Sequence, residues 1–391
     1  MRHLLVLLSV LLLVPASPSS AQDFSALQFG TNDTFEVATW NIEWFPKQGS
    51  ATANYVADLI EAMDVDLIAM QELDNESVFD DMMDMLLPGY EGFYDSSSLA
   101  YIYNPSAITI NSTYEIFTGS QYWNAFPRPP LVVDLTFQGE NIIVINNHYK
   151  CCGDGDMEFG DTGDEEYRRY LANQYLKDYI DTNLPSANVI LTGDLNDNLA
   201  DPPADNVFQM FLDDPADYLA ADLSIAQGSV ADWSYPNWPS HLDHIFVTNE
   251  LFGALGNAGS TVETIKIDEH FPGGWSGYDQ YVSDHRPVAI RLDFGTTVSA
   301  PTVAALGHDL RSFPNPFRPQ TTLSFSLPTE GPVNLAIYNT LGQRVDVLVD
   351  AAMPSGSHRV DWDARGLPSG IYFSRLVANG FVTTHKMTLL K

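Results

Sequence analysis

Five short segments of this 391-residue chain concentrate the side chains that can do chemistry: Thr39-Trp40-Asn41, Gln71-Glu72, Asn147-His148, Gly193-Asp194-Leu195-Asn196-Asp197 and Ser283-Asp284-His285-Arg286-Pro287. Glu72, Asp194 and Asp284 are hard oxygen donors, and Asn41 and Asn196 add neutral carbonyl oxygens or amide donors. That mixture suits Mg²⁺ or Mn²⁺ beside phosphate oxygens, with Ca²⁺ a further cation that accepts it. His148 and His285 can titrate near neutral pH, as a general acid or base must. No HExxH or CxxC spacing occurs in the chain, which argues against zinc. Singly, each residue has a plainer reading: an Asn in a turn or cap, a Gly-Asp strand exit, an Asp-His surface turn before Pro287. Their order along the chain carries the weight.

The elements that must position them are legible from pattern. Apolar, β-branched runs at 35–38, 66–70, 141–145 and 188–191 precede four of the segments, so their polar groups fall where strands give way to loops. Helical stretches at 53–63 and 165–182 alternate with these strands, which predicts packed sheets flanked by helices.

These segments, with Leu242-Asp243-His244 between the fourth and fifth, resemble the endonuclease/exonuclease/phosphatase family over about 35–292. The resemblance implies a four-layer α-β-β-α sandwich with all motif loops at one edge. It also implies that Asn41, Glu72 and Asp284 serve the metal, and that His148 meets the scissile phosphate or leaving oxygen. On the same grounds Asp194 and Asn196 orient the attacking water and bind phosphate, Asp243 is the acidic position before the HIFVT strand, and Asp284 orients His285. The implied reaction is phosphoester hydrolysis. Arg128, in Phe126-Pro127-Arg128-Pro129-Pro130, resembles a family Arg that leans toward the cleft, though a solvated loop Arg reads almost as well. Tyr101 or Tyr103 could be a phosphate-facing Tyr or simply core.

The cysteines, Cys151 and Cys152, are adjacent, and a bridge between neighbours is strained. A strained bridge, two free thiols and soft-metal binding all fit. Lys150, two residues past His148, is placed to meet phosphate or to be solvated. An acidic, Gly-rich stretch follows at 153–166 and is expected to border the cleft.

At the N-terminus, Arg2 and His3, an apolar run at 4–14 and small residues up to Ala21 read as a secretory signal peptide, 1–21. No later segment approaches the roughly 20 apolar residues that span a bilayer. The catalytic part is expected at 22–295 and a linker of small residues and Pro at 296–311. Short alternating strands separated by Pro and Gly turns then predict a small all-β sandwich at 312–391. Its Asn315-Pro316-Phe317, Leu341-Gly342, Ser369-Gly370-Ile371-Tyr372 and final Lys386-Met387-Thr388-Leu389-Leu390-Lys391 resemble the sorting domain of the type IX secretion system. That likeness implies recognition by the secretion machinery and export through the outer membrane, to the cell surface or beyond. An appended carbohydrate-binding or spacing sandwich is the alternative.

Charge is divided unequally. Eight of the 18 Lys/Arg but only six of the 51 Asp/Glu lie from Pro301 onward, so the chain before it is more negative than the whole, −35 against −33. A phosphate polymer is repelled by that field unless a bound cation or local Lys150 and Arg128 reverse it within the cleft. The reading preferred from sequence is a secreted, divalent-metal-dependent nuclease. A phosphatase acting on a phosphorylated small molecule and a sphingomyelinase-like phospholipid phosphodiesterase use the same motifs. A non-catalytic surface module is disfavoured by the full set of polar residues.

Overall fold

The computed structural model describes residues 23–295 and most of 310–391, excluding 314, 316, 328–329, 340–343, 355, 379–380 and 391. The signal-peptide segment and nearly all of the expected linker lie outside the described residues. The chain divides into two compact units near residue 297.

The larger unit holds two six-stranded sheets. One is ordered β11-β12-β1-β2-β4-β3 and the other β5-β6-β7-β8-β10-β9. Its strands are β1 (Phe35–Phe45), β2 (Leu67–Leu73), β3 (Glu91–Tyr94), β4 (Leu99–Tyr103), β5 (Ile108–Glu115), β6 (Leu131–Phe137), β7 (Glu140–His148), β8 (Asn188–Asp194), β9 (Tyr218–Ala220), β10 (Asp243–Thr248), β11 (Thr261–Thr264) and β12 (Val288–Leu292). Helices α1 (Ser50–Met63) and α2 (Glu76–Met85) cover the first sheet, and α3 (Glu165–Asn183) covers the second.

Strand alternation explains the layering. On β1, Phe35 and Val37 enter a core shared by both sheets with Val144, Ile190 and Ile245. The alternate residues Ala38, Trp40 and Ile42 join Val56, Leu59 and Ile60 of α1 in a second core. A third core packs Ala172, Leu176 and Ile180 of α3 on Val189 and Leu191 of β8. Three apolar layers separated by two sheets make the four-layer α-β-β-α sandwich.

Two right-angled facts of local chemistry set the crossover helices. Helix α1 ends where Asp64 turns left-handed (φ 54°), its N–H donating to the Ile60 carbonyl. Helix α3 begins with Asp164 as N-cap, Oδ1 accepting from Tyr167 N at 2.6 Å, with Glu165 and Glu166 favourably placed in the first turn. Both helices join parallel neighbours, β1 to β2 and β7 to β8, so all four strands deliver their C-terminal ends to one edge.

The smaller unit is all-β. Its strands are β13 (Arg311–Phe313), β14 (Gln320–Leu327), β15 (Gly331–Asn339), β16 (Arg344–Met353), β17 (Gly356–Asp363), β18 (Gly370–Ala378) and β19 (Phe381–Leu389). They form a three-stranded sheet, β13-β14-β17, and a four-stranded one, β16-β15-β18-β19. Leu323 and Trp362 of one sheet meet Leu335, Leu376 and Met387 of the other in a single core.

Candidate active site

Register alone brings three of the expected residues together. Across β7, β8 and β10, His148 pairs with Asp194 and Asp194 with Asp243. One residue back, Gly193 pairs with Asn147 at φ +146°, and a Cβ there would lie 1.9 Å from the Asn147 carbonyl oxygen. Only glycine fits where the two parallel strands close on the site.

The first sheet supplies the rest. Asn41 lies within β1, not after it, and donates through Nδ2 to Asp194 Oδ2 at 2.9 Å and Glu72 Oε1 at 3.2 Å. Its Oδ1 accepts from Glu43 N at 2.9 Å, where the backbone turns left-handed at Glu43 and Trp44. Trp44 N in turn donates to Glu72 Oε2 at 3.1 Å. A single amide therefore spaces two carboxylates that would otherwise repel.

His148 Nε2 stands 3.6 Å from Asp194 Oδ2 and 3.8 Å from Glu72 Oε1, while its buried Nδ1 has no hydrogen-bond partner. Burial, then the charges of Arg128 and His285, hold it well below the usual imidazole range, so it is neutral. His285 is the opposite case. Burial alone would lower it, but Asp243 and Asp194 outweigh burial and push it up to about 10. Its Nδ1 contacts Asp243 Oδ2 at 2.7 Å, and its Nε2 lies 3.9 Å from both Asp194 Oδ2 and Asp284 Oδ1. Burial raises Asp194 to about 7, and it raises Asp284 to about 6. The site thus pairs an imidazolium with a neutral imidazole around a reluctant carboxylate.

Three expectations are corrected here. Asp243, not Asp284, orients His285, because β10 begins against the imidazole while Asp284 faces Nε2 from farther off. Tyr101 faces no phosphate: it is fully buried between the sheets, its hydroxyl donating toward the Leu131 and Val144 carbonyls at 3.1 and 2.9 Å. Lys150 is not among the residues lining the cleft, its Nζ donating to Cys151 O at 2.9 Å and lying 3.7 Å from Glu165. Arg128 is half-buried and acts on the site through its charge on His148. Cys151 and Cys152 are free, exposed thiols.

Asn196 sits left-handed (φ 53°) just past β8, its N–H donating to Asp194 Oδ1 at 3.1 Å and its Nδ2 to Tyr149 O at 3.3 Å. Beneath it runs a network missed at the level of sequence. Arg169 of α3 binds Asp197 at 2.8 Å and Glu166 at 3.0 Å, and donates to the Lys150 and Cys152 carbonyls at 2.8 and 2.7 Å. His244 is wedged between the Asp222 carboxylate, 2.6 Å from Nδ1, and the Asp197 carbonyl, 2.7 Å from Nε2. Ser283 Oγ donates to the Asn41 carbonyl at 2.6 Å and accepts from His285 N at 2.9 Å, pinning the last motif to β1. Across the sheets, Gln71 Nε2 donates to Asn146 Oδ1 at 2.7 Å.

The site opens into a cleft of about 660 Å³. Asn41, Glu72, His148, Asp194, Asn196, Asp284 and His285 line it, together with Tyr235, Trp44 and Trp238. The tryptophans are 65% and 78% exposed, and the Tyr235 ring lies tilted against His285 with centroids 4.8 Å apart.

The profile of the Endonuclease/Exonuclease/phosphatase family matches residues 38–285. The chain belongs to that family. The profile of the Secretion system C-terminal sorting domain matches residues 311–389, so this family member carries the tail of an exported protein. No curated protein matches the sequence. Among solved structures it is similar to Danio rerio TDP2 humanised by 14 mutations (15% identity, 66% of this chain and 99% of that one, TM-score 0.48). It is similar as well to the endonuclease/exonuclease/phosphatase of Bacteroides vulgatus (15%, 66% and 98%, TM-score 0.47) and to sphingomyelinase C of Streptomyces griseocarneus (16%, 66% and 99%, TM-score 0.44). Among the described residues no helix is long and apolar enough to cross a membrane.

The family is generally divalent-metal-dependent, and the donors here fit such an ion. Glu72, Asp194 and Asp284 are carboxylates converging on one cleft, and burial raises Asp194 and Asp284, so a bound cation would favour their charged forms. Asp243 Oδ2 and His285 Nδ1 are committed to each other, while one ligand atom from each of Asp194, Asp243 and His285 also lies within 4.8 Å of the others.

Proposed function

We propose that this family member is an exported phosphodiester hydrolase that cleaves nucleic acid, with Mg²⁺ or Mn²⁺ held by Glu72 and Asp284 beside Asn41. The observation that carries the reading is the convergence of one neutral and one cationic histidine on Asp194 in an open cleft. The ion supplies Lewis-acid stabilisation of phosphate charge. Asp194, poised near neutrality by burial, orients the attacking water and takes its proton, with Asn196 fixing the carboxylate's turn. His285, kept protonated by Asp243, presents Nε2–H to the charge that builds on the phosphoryl oxygens. His148, neutral and buried, donates a hydrogen bond to phosphate, and the Arg128 charge reinforces the same face.

Nucleic acid is favoured by Trp44 and Trp238, flat and solvent-facing at the cleft, where they can stack on bases. They also support one rival, a phospholipid phosphodiesterase whose rim enters the headgroup layer. The test is nicking of supercoiled plasmid by the purified protein with MgCl₂ or chelator, beside a His148→Ala control and sphingomyelin vesicles. Metal-dependent nicking lost in H148A supports the nuclease. Vesicle hydrolysis with intact plasmid overturns it in favour of the rival.

A further inference from the structure

The acidic stretch 153–166 takes no part in the chemistry above, yet it carries seven carboxylates, four glycines and no cation. Three of those acids come together in space: one carboxylate oxygen from each of Asp154, Asp164 and Glu166 lies within 4.8 Å of the others. Two oxygens on one Ca²⁺, each at about 2.4 Å, can be no more than about 4.8 Å apart, so the spacing suits a shared ion.

Glu166 supplies the independent sign of a missing partner. The residue is only 2% exposed. Its Oε1 accepts from Gly155 N at 2.9 Å and forms an ion pair with Arg169 Nη2 at 3.0 Å, but its Oε2 is buried with no partner. A buried carboxylate oxygen left bare is costly, and although Arg169 serves the other oxygen, the same side chain belongs to the three-acid group. Backbone N–H groups already hold the other acids in place, Asp156 N on Asp154 Oδ1 at 3.2 Å and Tyr167 N on Asp164 Oδ1 at 2.6 Å. Gly153, at φ +115°, lets the chain close over Glu166, since a Cβ there would lie 2.0 Å from Oε1.

We propose that Asp154, Asp164 and Glu166 bind a Ca²⁺ ion that fixes the 153–166 loop as one wall of the cleft. Hard oxygens without any imidazole or thiolate select Ca²⁺ over zinc, and an adaptable loop suits Ca²⁺ better than the strict octahedron of Mg²⁺. The ion neutralises the densest run of negative charge beside the site, where Cys152, Gly153 and Gly155 line the cleft. An exported protein meets Ca²⁺ at the concentrations such extracellular sites need, about 10⁻⁴ to 10⁻³ M. The site is independent of the catalytic ion.

The experiment strips the full-length protein with chelator, titrates CaCl₂, and reads melting temperature and cleavage of the loop by a Glu-specific protease. The variant is Asp154→Asn with Asp164→Asn, since Asn caps a helix as well as Asp and α3 is retained. Wild type gains thermal stability and loop protection with half-effect near 10⁻⁴ to 10⁻³ M, the double variant loses at least about tenfold in Ca²⁺ affinity, and Glu72→Gln keeps the full response. An indifferent wild type at about 10 mM Ca²⁺, an unchanged response in the double variant, or a response lost in E72Q alone each overturns the proposal. The E72Q arm keeps failure here separate from failure of the catalytic reading.

Discussion

Carboxylates are buried at the entry end of β1 and β2 and at the exit end of β8, and the two ends behave differently. At the entry end, Glu36 and Asp66 are nearly inaccessible and share a contact, Glu36 N donating to Asp66 Oδ2 at 3.2 Å. Burial, then the neighbouring Glu36 charge, pushes Asp66 up to about 8, and burial pushes Glu36 up to about 6. At the exit end, burial pushes Asp194 up to about 7. A raised carboxylate therefore does not by itself mark a functional site. The difference lies in the company: the entry pair faces Thr31, Thr34 and Arg291 in closed packing, whereas Asp194 faces two imidazoles and a cleft open to solvent.

The largest expected effect comes from the exit end. Asp194→Asn should lower kcat by about 10³-fold or more while leaving the melting temperature equal or higher, because a desolvated charge is removed. Loss of activity together with collapse of the fold would assign Asp194 to structure, like Asp66. Asp243→Asn comes next. By removing the charge that holds His285 as imidazolium it should cost about 10²- to 10³-fold in kcat with little change in KM, and the His285 ring should titrate well below its wild-type value by NMR. A variant that keeps the high His285 pKa would return the orienting role to Asp284.

Why the sequence resolved one end better than the other follows from the same contrast. Asn41, Glu72, His148 and Asp194 announce themselves because each interrupts or closes an apolar run, and alternation with helices fixes which ends meet. The partner of His285 was not legible. Asp284 is its neighbour in the chain, but the carboxylate that reaches Nδ1 comes from β10 in the other sheet, a pairing set by packing and not by spacing. Tyr101 was misplaced for a readable reason: in Leu99-Ala100-Tyr101-Ile102-Tyr103, strand alternation puts Leu99 and Tyr101 on the face shared with the second sheet. Arg169 and Asp197 lie 28 positions apart, so nothing local tied them together. The Glu36–Asp66 pair is equally silent, since two acids at strand starts read as exposed.

A smaller effect tests the open side of the exit end. Trp44→Ala and Trp238→Ala should each raise KM for a single-stranded oligonucleotide about fivefold or more, near 1 kcal/mol of stacking, with kcat on a small phosphodiester unchanged. Equal KM values in both variants would remove the tryptophans from substrate binding and leave them as surface residues.

The smallest effect on catalysis and the clearest on stability is expected from Asp66→Asn. The sign follows from linkage. With a folded pKa of about 8 against an unfolded value of 3.8, Asp66 keeps its proton in the folded protein while the unfolded chain gives it up. Between about pH 4 and pH 8 the folded state is therefore penalised progressively, and above about 8 the penalty is complete. An Asn at this position can still accept from Glu36 N and offers an amide N–H to the Glu36 carboxylate, whose Oε2 is buried without a partner. The D66N protein should thus lose part of the downward slope of stability with pH and exceed wild type by on the order of 1 kcal/mol at pH 8, with hydrolysis unaltered. Differences between the two denaturation series isolate Asp66, because Asp194 and Asp284 contribute equally to both. Parallel curves across pH 4 to 8 would mean that the entry-end pair carries no proton between its members, and the contrast between the two ends would then rest on the histidines alone.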